Sequence, residues 1–188
     1  MQGVGGAGRE LDELATAIRD AAGGRRRVVL IDGRSGAGKT VLAEALAPRL
    51  DAQLVSLDDL YPGWEGLEAG SEAVHETVLR ARDPGWTRWD WTSSRPAEWH
   101  PLDPDRALVI EGCGALSRTN RALATFGIWI DVGAAERRRR SAARDDGRFD
   151  EFWQVWAAQE DQFIARENPR VLADVVIDEN ATGSTTPG

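Results

Sequence analysis

One eight-residue segment limits what this chain can fold into more than any other feature. Residues 33–40 read Gly-Arg-Ser-Gly-Ala-Gly-Lys-Thr and satisfy the pattern G-x-x-x-x-G-K-[ST] in full. The apolar run Val28–Ile31 precedes the segment, and apolar residues at helical spacing follow it. This order of strand, glycine-rich turn and helix is the context in which the pattern cradles phosphate groups. The sequence therefore predicts a nucleotide site at the end of the first strand.

Each residue type in this segment has a physical role. Glycine lets the backbone adopt positive φ and approach phosphate oxygens closely, while the backbone N–H groups converge on the anion at a helix N-terminus. Lys39 adds a compact charge, and it is the only lysine among 23 basic residues. The Thr40 hydroxyl can bind Mg²⁺. The predicted ATP-binding residues are Gly33, Ser35, Gly36, Ala37, Gly38, Lys39 and Thr40.

Further apolar runs alternate with helical patterns along the chain. Strands separated by helices indicate an α/β fold, in which a parallel sheet carries helices on both faces. We expect one domain over residues 9–178, with flexible termini at 1–8 and 179–188. Residues 83–104 are rich in Pro and Trp and show no clear period, so we interpret them as an excursion over the sheet. The further strand candidates are Leu54–Leu57, Leu108–Ile110, Ile128–Val132 and Val175–Ile177.

The overall composition excludes several classes of protein. A net charge of −8 argues against nucleic acid as the main partner, because the chain and a phosphate backbone repel each other. One cysteine and two histidines cannot form a Cys/His zinc cluster. No run of about 18 apolar residues is present to span a membrane, so we expect a cytoplasmic protein. The sequence leaves homo-oligomerisation open.

Two of the strand candidates end in carboxylates. In a parallel sheet these side chains reach the same edge as the glycine-rich turn. Asp58 could accept the proton of a substrate hydroxyl or hold the metal, although Asp58 and Asp59 could also simply cap the next segment. Glu111 could assist Thr40 and Asp58 in binding Mg²⁺, or it could be a surface acid at a strand end.

A basic cluster follows the fourth strand candidate. Arg137–Arg140 and Arg144 would place three guanidiniums on one helix face, at 137, 140 and 144. Arginines that close over the phosphates would neutralise the charge that spreads during phosphoryl transfer. We predict this role for Arg140 and Arg144, against the alternative of a solvated helix face.

The excursion is the candidate acceptor pocket. Trp86, Trp89, Trp91 and Trp99 crowd into it beside Asp90 and Arg95. A flat aromatic ring next to a carboxylate can stack on a ring-bearing acceptor and hydrogen-bond to it. The alternative is that these tryptophans only cover the sheet.

The lone lysine also argues against a GTPase switch. Such proteins read guanine with an N-K-x-D or T-K-x-D element, which needs a second lysine. The length also leads us to expect no large motor ATPase.

Taken together, the motifs resemble the uridine kinase-type members of the P-loop kinases. The resemblance runs from Val28 to Ile177 and depends on IDGRSGAGKT, SLDDLY, RWDW, LVIEG, IWIDV with ERRRRSAARD, and LADVVI, in that order. It implies a P-loop NTPase fold of the nucleoside and nucleotide kinase type with a five-stranded parallel sheet, and ATP with Mg²⁺ as donor. It also implies a catalytic base at Asp58, an acceptor contact near Tyr61, substrate contacts around Trp89, Asp90 and Trp91, and lid arginines in 137–144. That family usually carries Tyr-Asp-Phe where this chain has Trp-Asp-Trp, so the acceptor pocket has a different character.

The leading hypothesis is an ATP-dependent kinase acting on a small hydroxyl compound, with a nucleoside as the first candidate. Lys39 and Asp58 are the predicted catalytic residues. A nucleoside monophosphate, sugar or polyol kinase is the second hypothesis, and a phosphorylated acceptor would need arginines such as Arg88, Arg95 and Arg118 in its pocket. The third is a nucleotide-binding regulatory protein with little turnover.

Overall fold

The computed structural model describes residues 4–145 and 151–180. Its centre is a five-stranded sheet in the order β2-β5-β1-β6-β7, and every neighbouring pair is parallel. The α/β fold predicted from the sequence is therefore confirmed. The strands are β1 (Val28–Gly33), β2 (Ala52–Ser56), β3 (Gly85–Asp90), β4 (Arg95–Pro101), β5 (Ala107–Glu111), β6 (Phe126–Asp131) and β7 (Val175–Asp178).

Helices cover both faces of the sheet. Two clusters of buried apolar side chains result, one on each face, because every residue of β1 and β5 is buried and successive side chains point to opposite faces. The helices are α1 (Val4–Ala22), α2 (Lys39–Arg49), α3 (Leu67–Ala73), α4 (Arg118–Leu123), α5 (Ala134–Asp145), α6 (Trp153–Glu167) and α7 (Pro169–Leu172).

The strand order places a ligand crevice above β1. The chain leaves β1 toward one edge of the sheet to form β2, and later crosses from β5 to β6 on the other side of β1. Loops that leave the carboxyl ends of neighbouring strands in opposite directions open a gap at such a point. The turn after β1, residues 33–38, lies there together with the ends of β2 and β5.

The tryptophan-rich excursion forms a hairpin that the sequence analysis did not predict. Strands β3 and β4 pair antiparallel and form a separate two-stranded sheet. Most of their residues are exposed or half-buried, so no alternation of apolar and polar residues marks them. The turn closes on Asp90, whose carboxylate accepts hydrogen bonds from the Thr92 backbone and the Ser93 hydroxyl.

One helical region differs in detail from the sequence-based expectations. Helix α1 begins at Val4, so residues 4–8, expected to be flexible, belong to a helix. After α3 the chain forms a wider turn of π type at Val74–Val78. On α6, Trp156 and Phe163 pack in the core. No helix of the described ranges combines the length and the apolar character needed to cross a bilayer.

Candidate active site

The glycine-rich turn has the backbone geometry that phosphate binding requires. Gly36 and Gly38 have φ values of 79° and 94°, in the left-handed region, and Gly38 is the N-cap of α2. A Cβ at Gly36 would lie 2.3 Å from the carbonyl oxygen of Arg137, so α5 packs directly against the turn. The Arg137 guanidinium donates to the Ser35 carbonyl at 3.2 Å. The turn is thus held from the side of the basic helix.

Lys39 begins α2 and is almost fully buried. Its Nζ donates to the Arg34 carbonyl and to the Cys113 sulfur, both at 3.3 Å. Burial alone would lower the pKa of Lys39, but the neighbouring Cys113 and the carboxylates of Glu111, Asp58 and Glu160 outweigh burial and raise it above its usual value. The ammonium is therefore charged at neutral pH and faces a site that contains several carboxylates.

Glu111 ends β5 and meets two hydroxyl groups. Its Oε1 accepts from the Ser56 hydroxyl at 2.6 Å and from the Thr40 hydroxyl at 3.2 Å. Burial raises the pKa of Glu111, opposed by Lys39 and by the Ser56 hydrogen bond. A buried carboxylate beside a hydroxyl supplies the hard oxygen ligands that suit Mg²⁺, which takes few protein ligands and completes its shell with water and phosphate. Within the described residues no group of three or more His, Cys, Asp and Glu could form an all-protein metal cage.

Asp58 follows the strand next to β5. It belongs to a short 3₁₀ turn, Leu57–Asp59, directly after β2. The Trp91 indole N–H donates to the Asp58 backbone carbonyl at 2.9 Å, so the hairpin closes over this turn. Trp91 in turn contacts Trp64, with ring centroids 4.8 Å apart.

One cavity of about 1220 Å³ joins these groups. One end of the cavity is formed by the glycine-rich turn, the start of α2 and Arg140 of α5. This end continues to apolar side chains of α1, α2 and β7. The other end is aromatic and contains Asp58. The lining of the first end includes Leu11, Lys39, Thr40, Val41, Ala45, Arg140, Ile177 and Glu179. The lining of the second end includes Asp58, Tyr61, Trp64, Trp91 and Trp156, and Glu111 and Cys113 lie between the two ends.

The basic helix brings one of the two predicted arginines to the cavity. Arg140 lines it, with its Nη1 3.7 Å from the position that a Cβ on Gly38 would take. Its guanidinium is paired with Glu136 and with Glu179. The side chain of Arg144 lies outside the described residues. The structure also places Arg137, the third arginine of the predicted helix face, closer to the turn than Arg140.

Not every predicted acceptor contact reaches the cavity. Trp91 lines it, but Trp89, Asp90 and Arg95 do not. Asp90 is engaged in the hairpin turn, and Arg95 is exposed and donates to Ser93. Trp91 lies in the hairpin turn directly after β3, whereas Trp89 and Asp90 belong to the strand.

Tyr61 lines the cavity yet is almost completely buried. Its hydroxyl donates to the Cys113 carbonyl at 2.8 Å, and its ring meets Trp156 edge-on at 4.7 Å. Burial raises the pKa of Tyr61 well above its usual value. The contacts described for this side chain hold the floor of the cavity together.

Two buried carboxylates that support the site escaped the sequence analysis. Asp32, at the end of β1, accepts backbone hydrogen bonds from Gly33 at 2.6 Å, Gly114 at 3.1 Å and Leu116 at 2.9 Å. Burial nonetheless raises the pKa of Asp32 to about 6. These contacts join the segment after β5 to the segment after β1. The sequence signal that could have revealed Asp32 is an acidic residue near the end of an otherwise apolar strand.

The second is Glu160 of α6. Its carboxylate accepts from the Ser35 backbone N–H at 2.7 Å and from the Cys113 thiol at 3.3 Å. It also pairs with Arg34 at 3.6 Å. Glu160 thus supports the glycine-rich turn from α6. No local sequence signal marks Glu160, because its partners Arg34 and Ser35 lie more than a hundred residues earlier in the chain and Cys113 is also distant.

Comparisons with solved structures identify the fold. A structure of a possible uridine kinase from Bacillus stearothermophilus matches with a TM-score of 0.64 and 20% identity, covering 89% of this chain and 97% of that one. A candidate fructose transport system kinase from Silicibacter sp. TM1040 matches with a TM-score of 0.57 and 19% identity, covering 88% and 98%. The chain therefore has the fold of these P-loop proteins, as the resemblance predicted.

Curated sequences give shorter matches, and no protein-family model matches the chain. A shikimate kinase from Corynebacterium efficiens is 30% identical over 119 residues, which is 62% of this chain and 65% of that protein. A tRNA dimethylallyltransferase from Chlamydia pneumoniae is 38% identical over 58 residues, 31% of this chain and 16% of that protein. The chain thus spans less than two thirds of the length of these curated relatives. What the comparisons identify is a P-loop fold of the kind seen in uridine kinase-like structures.

Proposed function

We propose that this protein is an ATP-dependent kinase that transfers the γ-phosphate to a hydroxyl group of a small molecule. The observation that carries the proposal is the single cavity that connects the phosphate-binding turn with a second, aromatic end containing Asp58. A protein that only bound or hydrolysed a nucleotide would have no need of the second end. The kinases among the similar structures and relatives support the same class of reaction.

In this proposal the chain acts mainly by positioning and by neutralising charge. The backbone N–H groups of residues 36–40 and the Lys39 ammonium hold the donor phosphates. Thr40 and Glu111, with Asp58, would hold Mg²⁺, which supplies charge neutralisation at the phosphates when it is bound. Arg140 lies where it can leave Glu179 and contact the phosphates from α5.

Asp58 is the proposed base. Its position after β2 lets it orient the acceptor hydroxyl and accept the hydroxyl proton as the oxygen attacks. The aromatic end would hold the remainder of the acceptor. A nucleoside is our first candidate, since the structure with the higher TM-score of the two is that of a possible uridine kinase. Sugars and polyols are the alternative, since the other is a candidate fructose transport system kinase.

The test is acceptor-dependent release of ADP from ATP and Mg²⁺ by the purified protein, over a panel of nucleosides, nucleotides, sugars and polyols. Asp58→Asn should lose at least about a hundredfold of the stimulated rate. The neighbouring Asp59→Asn is the matched control, because Asp59 does not line the cavity. Stimulation that survives in Asp58→Asn would contradict the role of Asp58, and tight ATP binding without any stimulation would favour a regulatory protein.

A further inference from the structure

The end of the cavity that lies away from Asp58 becomes apolar beyond the phosphate-binding turn. Its lining there includes Leu11 of α1, Val41 and Ala45 of α2, and Ile177 of β7. Val41 is 72% exposed, so its side chain adds apolar surface to the cavity that no packing in the core covers. One exposed valine is ordinary, but a concave apolar surface built from three elements is typical of a small-molecule site.

Helix α1 reaches this end because of the way it packs on the sheet. Its buried stripe, Ala15, Ile18 and Ala22, belongs to the same apolar cluster as residues of β1 and β6. Leu11 lies one helical turn before Ala15 on that stripe and is only partly buried. The segment from Leu11 to Ala22 is roughly 16 Å long, and the six-residue strand β1 is roughly 20 Å long. A helix whose end connects to the start of β1 can therefore place Leu11 beside the turn that follows β1.

Polar contacts fix α1 against α2. The Asp12 carboxylate accepts from the Arg49 guanidinium at 2.8 Å, and the Arg19 guanidinium donates to the Arg49 carbonyl at 2.5 Å. Arg49 also donates to the Ala45 carbonyl at 2.8 Å. These contacts hold the position of Leu11 relative to Ala45 and so support the apolar end of the cavity.

The two ends of the cavity correspond to the two parts of the proposed reaction that are not phosphate. A triphosphate held by residues 36–40 would direct its γ-phosphate toward the acceptor at Asp58. The remainder of the donor then leaves the turn in the other direction, toward the apolar end. A nucleobase has large flat faces that gain free energy from burial against apolar side chains.

We propose that α1 is part of the donor site and that the base of the donor nucleotide packs between Leu11, Val41 and Ile177. This role of α1 depends on the proposed function, because it concerns the donor of the same reaction. Helix α1 precedes the first strand and lies outside the phosphate-binding pattern, so no motif marks Leu11 as a binding residue. The phosphates are held by charge and backbone N–H groups, whereas the base is held by buried apolar area.

The test compares two ligands that share the phosphates but not the base. Binding of a non-hydrolysable ATP analogue and of inorganic triphosphate, each with Mg²⁺, is measured by calorimetry for the wild type and for Leu11→Ala. We expect Leu11→Ala to weaken binding of the ATP analogue by about tenfold, the size expected when part of a leucine side chain no longer covers the base. Binding of triphosphate should be unchanged, which also shows that the phosphate-binding turn is intact.

Leu14→Ala is the matched control for Leu11→Ala. Leu14 lies on the same helix and is partly buried against the same apolar cluster, but it does not line the cavity. Leu14→Ala should therefore leave the affinities for both ligands unchanged.

A second variant avoids any loss of core packing. Val41→Ala removes a side chain that is already largely exposed and should weaken binding of the ATP analogue by about threefold, again without an effect on triphosphate. Val171→Ala is its control, because Val171 is 74% exposed and does not line the cavity.

The outcomes separate the role of α1 from the kinase function. A wild type that binds the ATP analogue no more tightly than triphosphate overturns the proposal about α1. Equal losses for the two ligands in Leu11→Ala, a selective loss in Leu14→Ala, or no selective loss in Val41→Ala overturns it as well. Selective losses in Leu11→Ala and Val41→Ala without any acceptor-dependent release of ADP support the donor site and contradict the kinase. Acceptor-dependent release of ADP from a protein whose nucleotide affinity ignores both substitutions supports the kinase and overturns the role of α1.

Discussion

Two neighbouring acids of α6 give a direct test of how the phosphate-binding turn is supported. Glu160 and Asp161 both pair with Arg34, but the Glu160 side chain is 4% exposed and that of Asp161 is 66% exposed. Glu160 also accepts the Ser35 backbone N–H at 2.7 Å. We therefore expect very different losses of unfolding free energy from Glu160→Ala and Asp161→Ala.

The magnitudes follow from these contacts. Glu160→Ala leaves the Ser35 N–H without its acceptor, which costs about 1–3 kcal/mol, and removes one buried methylene group worth about 0.8 kcal/mol. The sum is roughly 2–4 kcal/mol, or about 4–16 °C in Tm for a chain of this length. Asp161→Ala removes one exposed ion pair and should cost about 1 kcal/mol or less.

Urea unfolding followed by tryptophan fluorescence measures both losses, since the chain has 8 tryptophans. Glu160→Ala should also weaken ATP binding, because the turn that holds the phosphates loses a support. Asp161→Ala should leave ATP binding unchanged. Equal losses of stability in the two variants, or full ATP affinity in Glu160→Ala, would refute the reasoning that Glu160 holds the turn.

Three further predictions concern single side chains. Because burial raises the pKa of Asp32 to about 6, folding takes up a proton at this group between about pH 4 and about pH 6. Asp32 therefore makes the unfolding free energy fall as the pH rises across that window. Urea unfolding of the wild type should show this fall, and an equally steep fall in Asp32→Asn would contradict the prediction. Tyr61→Phe should cost about 1–2 kcal/mol of unfolding free energy, since the Cys113 carbonyl loses its buried donor, and a change of less than about 0.3 kcal/mol would rule that bond out as a support. Arg140→Ala should raise the KM for ATP about tenfold, because Arg140 lines the cavity. Arg139, whose side chain is 70% exposed, is the control, and Arg139→Ala should leave the KM unchanged. Equal effects of the two substitutions would contradict a specific role of Arg140.

The sheet and the phosphate-binding turn could be predicted because their signals are local. Val28–Ile31 is a continuous apolar run, as a strand buried on both faces requires, and the turn that follows needs particular residue types at fixed positions. Strands β5 and β6 carry the same kind of signal, and the edge strands β2 and β7 carry shorter apolar runs that are only partly buried. Their predicted positions agree with the structure to within about two residues at each end, which is the usual uncertainty of a boundary.

The hairpin β3–β4 and the supporting acids could not be predicted in the same way. The hairpin lies mostly outside the core, so its apolar residues follow no period of two, and its tryptophans contact residues far away in the sequence. Asp32 and Glu160 act through hydrogen bonds to backbone groups of distant segments. A sequence pattern shows which residues could accept such bonds but not which segments the fold brings to them.

The central claim is that a phosphate group passes from ATP bound at Lys39 to a hydroxyl at the aromatic end of the same cavity. Phosphorus NMR of a reaction with ATP, Mg²⁺ and an acceptor that stimulates ADP release tests it most directly, with Lys39→Ala in parallel. The account predicts a new phosphate ester that forms in equal amount with ADP and is lost in Lys39→Ala, since Lys39 is the only lysine of the chain and Arg34, the other cation of the turn, pairs with Glu160 and Asp161. Formation of ADP with inorganic phosphate alone, or an ester that forms equally in Lys39→Ala, would contradict it.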